Sequence, residues 1–292
     1  MKKTTEEIIF NIVSLTLTTL FALACIVPIL LTLSGSLTDE MEIYNGLKLW
    51  PAKFSTAAYE TIMLTPHKML QAYKVTILLV IFGTLLGLLT TTVTSYVIYR
   101  KDFKYRSAVT FFFFFTTLFG GGQVPGYILN CALGLKDNFM VLLLSGFYSV
   151  MNVIIVRTYF TSNVPLSLVE SAKIDGANDF RIYRSIVLPA ATPILATIGL
   201  LTALGYWNNW STARVYISNS NLYPLQYYLY KVFETAQLQR ELAEQGLGDV
   251  TNVPKESYKM AMTVFTMGPV VLFYPFIQKY FVSGVTIGAV KG

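Results

Sequence analysis

The stretch SLVESAKIDGANDFRIYRSIVLP, Ser167 to Pro189, places Glu170, Lys173, Asp175, Asp179, Arg181 and Arg184 between two almost wholly apolar regions. Side chains of both signs on a short insert suit ion pairing with a partner surface; they hold no nucleophile beside a base. Bond-making chemistry is scarce elsewhere too. The single histidine, His67 in TPHKML, reads as a solvated loop residue. There is no H-E-x-x-H, no G-x-S-x-G and no cysteine pair at zinc spacing, and Cys25 and Cys131 lie in separate apolar stretches. No Gly-Lys dipeptide occurs, so a Walker A phosphate loop is excluded. The chain is expected to have no catalytic residue, no metal and no cofactor of its own. If it moves a solute, a partner must supply the energy.

The elements that position the insert are set by composition. Of 292 residues, 54% are hydrophobic and 13% charged, and the mean hydropathy is +0.54, values of a polytopic membrane protein. Crossing about 30 Å of hydrocarbon takes roughly 20 apolar residues in a helix, because the backbone there must bond to itself. Six segments qualify, at 9–33, 75–99, 108–131, 139–160, 190–211 and 259–280. Lys2 and Lys3 precede the first, and ALAC, Ala22 to Cys25, has the look of a cleavage site, but the apolar run continues through IVPILLTL, so an uncleaved helix is expected. RKDFKYR, Arg100 to Arg106, holds four basic residues and belongs in the cytoplasm. Both termini and the insert then lie inside, with the longer connections 34–74 and 212–258 outside. The net charge of +6 is met by anionic lipid on the inner face, without nucleic acid. Between their terminal turns the six segments carry no Asp, Glu, Lys, Arg or His, which disfavours coupling to protons or sodium.

Within the insert, Pro165 suits a first helical turn, and Ser167 with Glu170 has the spacing of a capping box. Ser171, Ala172 and Ala177 are small enough for that helix to lie deep in a partner's groove. Gly176 permits a turn, and DFRIYRSIVLP forms a second helix ending at Pro189, at the mouth of the fifth segment. A helix, a turn and a helix beneath the membrane result. Periodicity alone also fits an amphipathic hairpin resting on the inner leaflet.

What favours a partner surface is a resemblance carried by the full spacing: Glu170, Ser171, Ala172, then Gly176, then Ile186, Leu188 and Pro189. That spacing resembles the EAA signature of permease subunits in ABC importers, E-A-A-x3-G-x9-I-x-L-P, with Ser171 where the family usually has alanine. VPLSLVESAKIDGANDFRIYRSIVLP, GGGQVPGYIL, GYWNNW and QKYFVSGVTIGAVKG are similar to the carbohydrate branch, to its maltose-type second permease and the subset for complex oligosaccharides. The resemblance implies an all-α integral membrane protein of six transmembrane helices, with the helix-turn-helix coupling element between the fourth and fifth. It implies an N-terminal helix and outer connection at 1–74, a permease domain at 75–281 with its coupling element at 164–189, and a C-terminal tail at 282–292. It further implies a bacterial cell membrane, a second permease, a cytoplasmic ATPase dimer that binds ATP and Mg, and an extracytoplasmic solute-binding protein. Glu170, Ser171, Ala172, Asp175, Gly176, Ala177, Ile186, Leu188 and Pro189 are then the ATPase-coupling residues, with the C-terminal stretch a second contact.

For a neutral sugar the path needs amides and aromatic plates. Tyr206, Trp207, Asn208 and Asn209 supply both, beside Trp210, though Trp and Tyr also anchor helices at interfaces. Gln123, Tyr127 and Asn130 follow the run Gly120 to Gly122, where a broken or closely packed third segment would open backbone to a water-filled path, glycines for helix packing explaining the run equally well, and Asn152 is a similar point in the fourth. Phe111 to Phe115 cover every face of a helix and read as lipid and helix contacts. Outside, Trp50 to Met63 reads as an interfacial helix, and QLQRELAEQGLG as a contact for the binding protein. Rival readings are a channel or secondary carrier without ATPase, and an ABC permease for a non-sugar solute.

Overall fold

The computed structural model describes residues 4–64, 66–245 and 255–289, which are helical apart from their connections and an isolated bridge between Thr38 and Phe54. In chain order the helices are α1 (Thr5–Ser36), α2 (Glu40–Tyr44), α3 (Ala57–Leu64), α4 (Pro66–Tyr99), α5 (Arg106–Leu118), α6 (Gln123–Ala132), α7 (Phe139–Leu144), α8 (Val150–Asn163), α9 (Leu166–Ile174), α10 (Asp179–Ile182), a π-helical turn (Tyr183–Val187), α11 (Leu188–Ala190), α12 (Thr192–Trp207), α13 (Ser211–Tyr216), α14 (Leu225–Glu244) and α15 (Glu256–Ala289).

Two described helices, α1 and α4, are long and apolar enough to cross a membrane, and the number rises to four if the bent pairs α5 with α6 and α10 with α12 each count as one span. Three of the six expected segments, the third, fourth and fifth, differ from single straight spans of the predicted length. The third bends by 114° between α5 and α6, at the glycine run, where Gly122 has φ +84°, a conformation open to a residue without Cβ. The fourth is divided into α7 and α8 by the turn 145–149. The fifth starts at α12 after a bend of 82° from the preceding helix. The sixth lies inside α15, which continues through most of the expected tail as far as Ala289; residues 290–292 lie outside the described residues. The interfacial helix is shorter than expected, covering Ala57–Leu64 as α3, and the expected binding-protein contact runs from α14 into residues outside the described ones.

The chain divides into two units, Met1–Pro66 with Leu229–Val270, and His67–Tyr228 with Val271–Gly292. In the first, the Glu40 carboxylate accepts from the Glu256 and Ser257 N–H groups at 2.8 and 3.0 Å and from the Ser257 hydroxyl at 2.7 Å. It thereby satisfies free donors at the start of α15, where a negative charge also meets the helix dipole favourably.

In the second unit, α4 is apolar all round, so its packing face is marked by small residues. Ala72, Thr76, Gly83, Gly87, Thr91 and Ser95 are buried along one stripe. A Cβ at Gly87 would stand 2.9 Å from the Phe147 carbonyl oxygen, which shows how closely the α7–α8 turn approaches. Ser95 donates to the Val153 carbonyl of α8 at 3.0 Å. One apolar cluster joins the end of α4 (Tyr96, Tyr99) to α8 (Val156, Phe160), α9 (Val169), the π turn (Tyr183, Val187) and α12 (Ile194, Ile198).

On the other connections of this unit, Asp137 is the one described non-glycine residue with positive φ, +54°. Its carboxylate accepts from the Ser218 and Asn219 N–H groups at 2.5 and 2.8 Å, and those bonds, the Asn219 one foremost, hold its pKa below the ordinary 3.8. Charge-assisted acceptance from two backbone donors offsets the left-handed backbone. Asp137→Ala is expected to speed amide exchange at Ser218 and Asn219 by about 10-fold. Hydrogen exchange at those two sites reads the result directly.

Candidate functional site: the hairpin between the fourth and fifth segments

α9 begins at Leu166, with Pro165 extended before it and no side-chain cap. The expected capping box does not form, because Ser167 lies inside the helix, where its carbonyl accepts from the Ser171 hydroxyl at 2.8 Å. The helix ends as the spacing requires. The Gly176 N–H bonds to the Lys173 carbonyl at 3.0 Å and the Ala177 N–H to the Ala172 carbonyl at 2.9 Å, with Gly176 at φ +80°. This is a Schellman motif: alanine four residues before the glycine supplies the carbonyl that the residue after the glycine needs, and both flanking side chains meet on the apolar side. Ala172 and Ala177 pack together against the internal cluster, as do Ile186 and Leu188.

That closure leaves the opposite side of the hairpin in solvent. Glu170, Ser171, Asp175 and Gly176 are exposed, together with three large apolar side chains, Leu168, Phe180 and Ile174, the last 87% accessible. Glu170 forms no ion pair among the described residues. Asn178 caps α10 by accepting from the Arg181 N–H at 2.8 Å. The helix then widens into the π turn, where the Leu188 N–H reaches the Tyr183 carbonyl. Pro189 has no N–H and its ring crowds the preceding turn, so a wider turn just before it is the expected adjustment.

Four charged residues that sequence reasoning assigned no joint role come together beneath this hairpin. Arg100, just past the end of α4, donates to Asp102 at 2.8 and 2.5 Å, to Asp179 at 2.6 Å and to the Tyr96 hydroxyl at 2.6 Å. Lys173 of α9 donates to Asp102 at 2.5 Å. Arg100, followed by Lys173, holds the Asp102 carboxyl well below the ordinary 3.8. A carboxylate so depressed keeps its full contribution at every pH above that ordinary value and loses it only as the pH falls below. Arg157, in the last turn of the fourth segment, has its Nε buried without a hydrogen-bond partner.

The solute-path candidates fall into separate places. Asn130 donates to the Tyr216 hydroxyl at 3.1 Å, and Tyr127 stacks on Tyr216 with centroids 5.7 Å apart; Gln123 is exposed at the start of α6. Trp207 meets Tyr73 at 6.5 Å, Asn208 accepts from Gln226 at 3.3 Å, and Asn209 accepts from the Thr212 N–H at 3.2 Å. Asn152 sits in the first turn of α8, its N–H bonded to Ser149. Tyr206 is buried, its hydroxyl donating to the Leu143 carbonyl at 2.5 Å. Among the described residues no group of His, Cys, Asp and Glu is placed to hold a metal.

Comparison with known proteins agrees with this architecture. The chain is 36% identical to the polygalacturonan/rhamnogalacturonan transport system permease protein YtcP of Bacillus subtilis (strain 168), over 94% of this chain and 95% of that one. It is 32% identical to Protein LplC of the same organism, over 91% and 90%. Among solved structures, a chain from the crystal structure of a bacterial ABC transporter involved in the import of the acidic polysaccharide alginate superposes with a TM-score of 0.83 at 31% identity, covering 96% of this chain and 99% of that one. The profile of the family described as binding-protein-dependent transport system inner membrane component matches residues 3–287, and the chain belongs to that family of ABC-importer permeases.

Proposed function

We propose that this chain is one of two permease subunits of an ATP-driven importer of oligosaccharides in a bacterial cell membrane. Its six apolar segments each cross once, with the hairpin and both termini in the cytoplasm. It hydrolyses nothing itself; a dimeric ATPase binds ATP and Mg, and an extracytoplasmic binding protein delivers the solute. The observation that carries this reading is the hairpin's division of labour: Ala172 and Ala177 close it on the chain's own core, while Glu170, Ile174, Asp175 and Phe180 stand outward. Exposed apolar anchors beside an unpaired carboxylate are what a groove with a basic rim accepts.

Movement of the ATPase is passed to the hairpin as a rigid body and reaches α12 through the π turn and Pro189, the stiff lever that a switching interface requires. The sugar assignment is supported by similar proteins whose names include saccharides, and by the aromatic and amide groups that Tyr127, Asn130 and Tyr216 bring together.

The test is reconstitution in proteoliposomes with the second permease, the ATPase and a binding protein, offering a neutral and a uronate oligosaccharide side by side. ATP-dependent uptake of either is expected. Uptake that persists without ATP, or without the ATPase subunit, would instead make the protein a carrier or channel.

A further inference from the structure

We propose that Arg100 is a positioning residue for transport: it fastens the hairpin to the end of α4, so that a push on α9 moves α4 directly and not only α12. The inference rests on the coupling role proposed above. One guanidinium joins three parts of the chain: its own helix through Tyr96, the following loop through both oxygens of Asp102, and the first turn of α10 through Asp179. Lys173, in the last turn of α9, completes the circuit on Asp102. Both helices of the hairpin are thus tied to α4 through a single side chain.

Burial makes the tie stiff. The Arg100 side chain is only 7% exposed, and a charge so placed is tolerated because its donors are met by carboxylates and a phenol. The planar fork reaches Asp102 with two parallel bonds, which an ammonium cannot reproduce. The guanidinium also lies 5.5 Å from the centroid of the Tyr96 ring. Two further bonds hold the same pieces in register, Thr92 with the Tyr183 hydroxyl at 2.7 Å and the Tyr99 hydroxyl to the Val164 carbonyl at 2.8 Å. The hairpin therefore has two exits for force, Pro189 into α12 and Arg100 into α4.

The experiment uses the complete reconstituted importer and measures solute taken up per ATP hydrolysed. Arg100→Gln is expected to lower that ratio about tenfold while hydrolysis stays within about twofold, since the four bonds made by one buried guanidinium to Tyr96, Asp102 and Asp179 are lost together. Arg100→Lys should recover part of the ratio, and Asp179→Asn, which removes one arm, should fall between. Spin labels at Lys101 and Arg184 should report one narrow distance in the unaltered chain with and without ATP, and a broadened distribution in Arg100→Gln. An unchanged ratio, or uptake and hydrolysis falling in proportion while the distance stays narrow, would overturn the proposal. If Arg100→Gln does not assemble, Asp179→Asn is judged by the same criteria. Gly176→Asp run alongside separates the two levels: loss of coupling there but not at position 100 refutes the tie alone, and loss at neither refutes the coupling role proposed for the hairpin.

Discussion

Gly176→Asp is expected to abolish uptake while leaving the chain in the membrane at near-normal amount, and Glu170→Lys to do the same. The intramolecular cost of the first change is small. Nothing stands within 4 Å of a Cβ built on Gly176, so no clash arises inside the chain. The backbone at φ +80° charges a non-glycine residue about 1 kcal/mol, and aspartate is among the residues that visit this region most readily. Glu170 is exposed and has no ion-pair partner among the described residues, so reversing its charge should shift stability by no more than about 0.5 kcal/mol. Complete loss of transport from two changes this mild requires a surface outside the chain, one that a new side chain at position 176 obstructs and a cation at position 170 repels. The check is uptake in whole cells beside quantification of the protein in isolated membranes. Normal uptake in both variants would remove the coupling role, and loss of the protein itself would turn the effect into one of folding.

What the sequence disclosed of this site follows the range of the interactions. The Ala172-to-Gly176 interval was readable because a Schellman motif is closed by residues within one turn of each other. Gly120 to Gly122 allowed a break for the same reason, since glycine acts on its own backbone, though the run fitted close helix packing equally well. Long apolar runs announced α1 and α4, since length and hydropathy are properties of a segment alone. The turn at 145–149 was not visible, because Ser-Gly-Phe-Tyr-Ser in an apolar run gives no periodicity to interrupt, and what holds that turn open lies on other helices. Ser167 misled because its spacing to Glu170 fits a cap two residues beyond the N-cap position that Pro165 occupies. The charged tie was out of reach: Arg100 and Asp179 are 79 positions apart, and each had a sufficient local reading, one as a cytoplasmic marker and the other as part of a solvated insert.

Tyr206 shows the same limit and yields the second large effect. By residue type it suits a sugar-stacking plate or an interfacial anchor, yet it is 2% exposed. A Cβ at Gly83 of α4 would overlap its ring, and one at Gly146 in the α7–α8 turn would come within 3.2 Å of it. Two glycines on two elements thus make room for one aromatic side chain. Its hydroxyl donates to the Leu143 carbonyl, one of the last-turn acceptors of α7 that no later helical residue can serve. Tyr206→Ala should therefore cost about 3–5 kcal/mol through the cavity it leaves. Tyr206→Phe should cost about 1–3 kcal/mol, because it strands a buried carbonyl without disturbing the packing. Gly83→Val should be severe alone and partly relieved in combination with Tyr206→Ala, since the two act on one volume and such neighbours depart from additivity by about 1–3 kcal/mol. Thermal unfolding of the purified complex measures all four, with the KM for uptake as the companion reading. A residue that wedges the helices apart lowers the melting temperature and leaves KM nearly unchanged among variants that still fold; a solute plate does the reverse. A raised KM at unaltered stability in Tyr206→Phe would move Tyr206 from the packing of α4, α7 and α12 to the wall of the path.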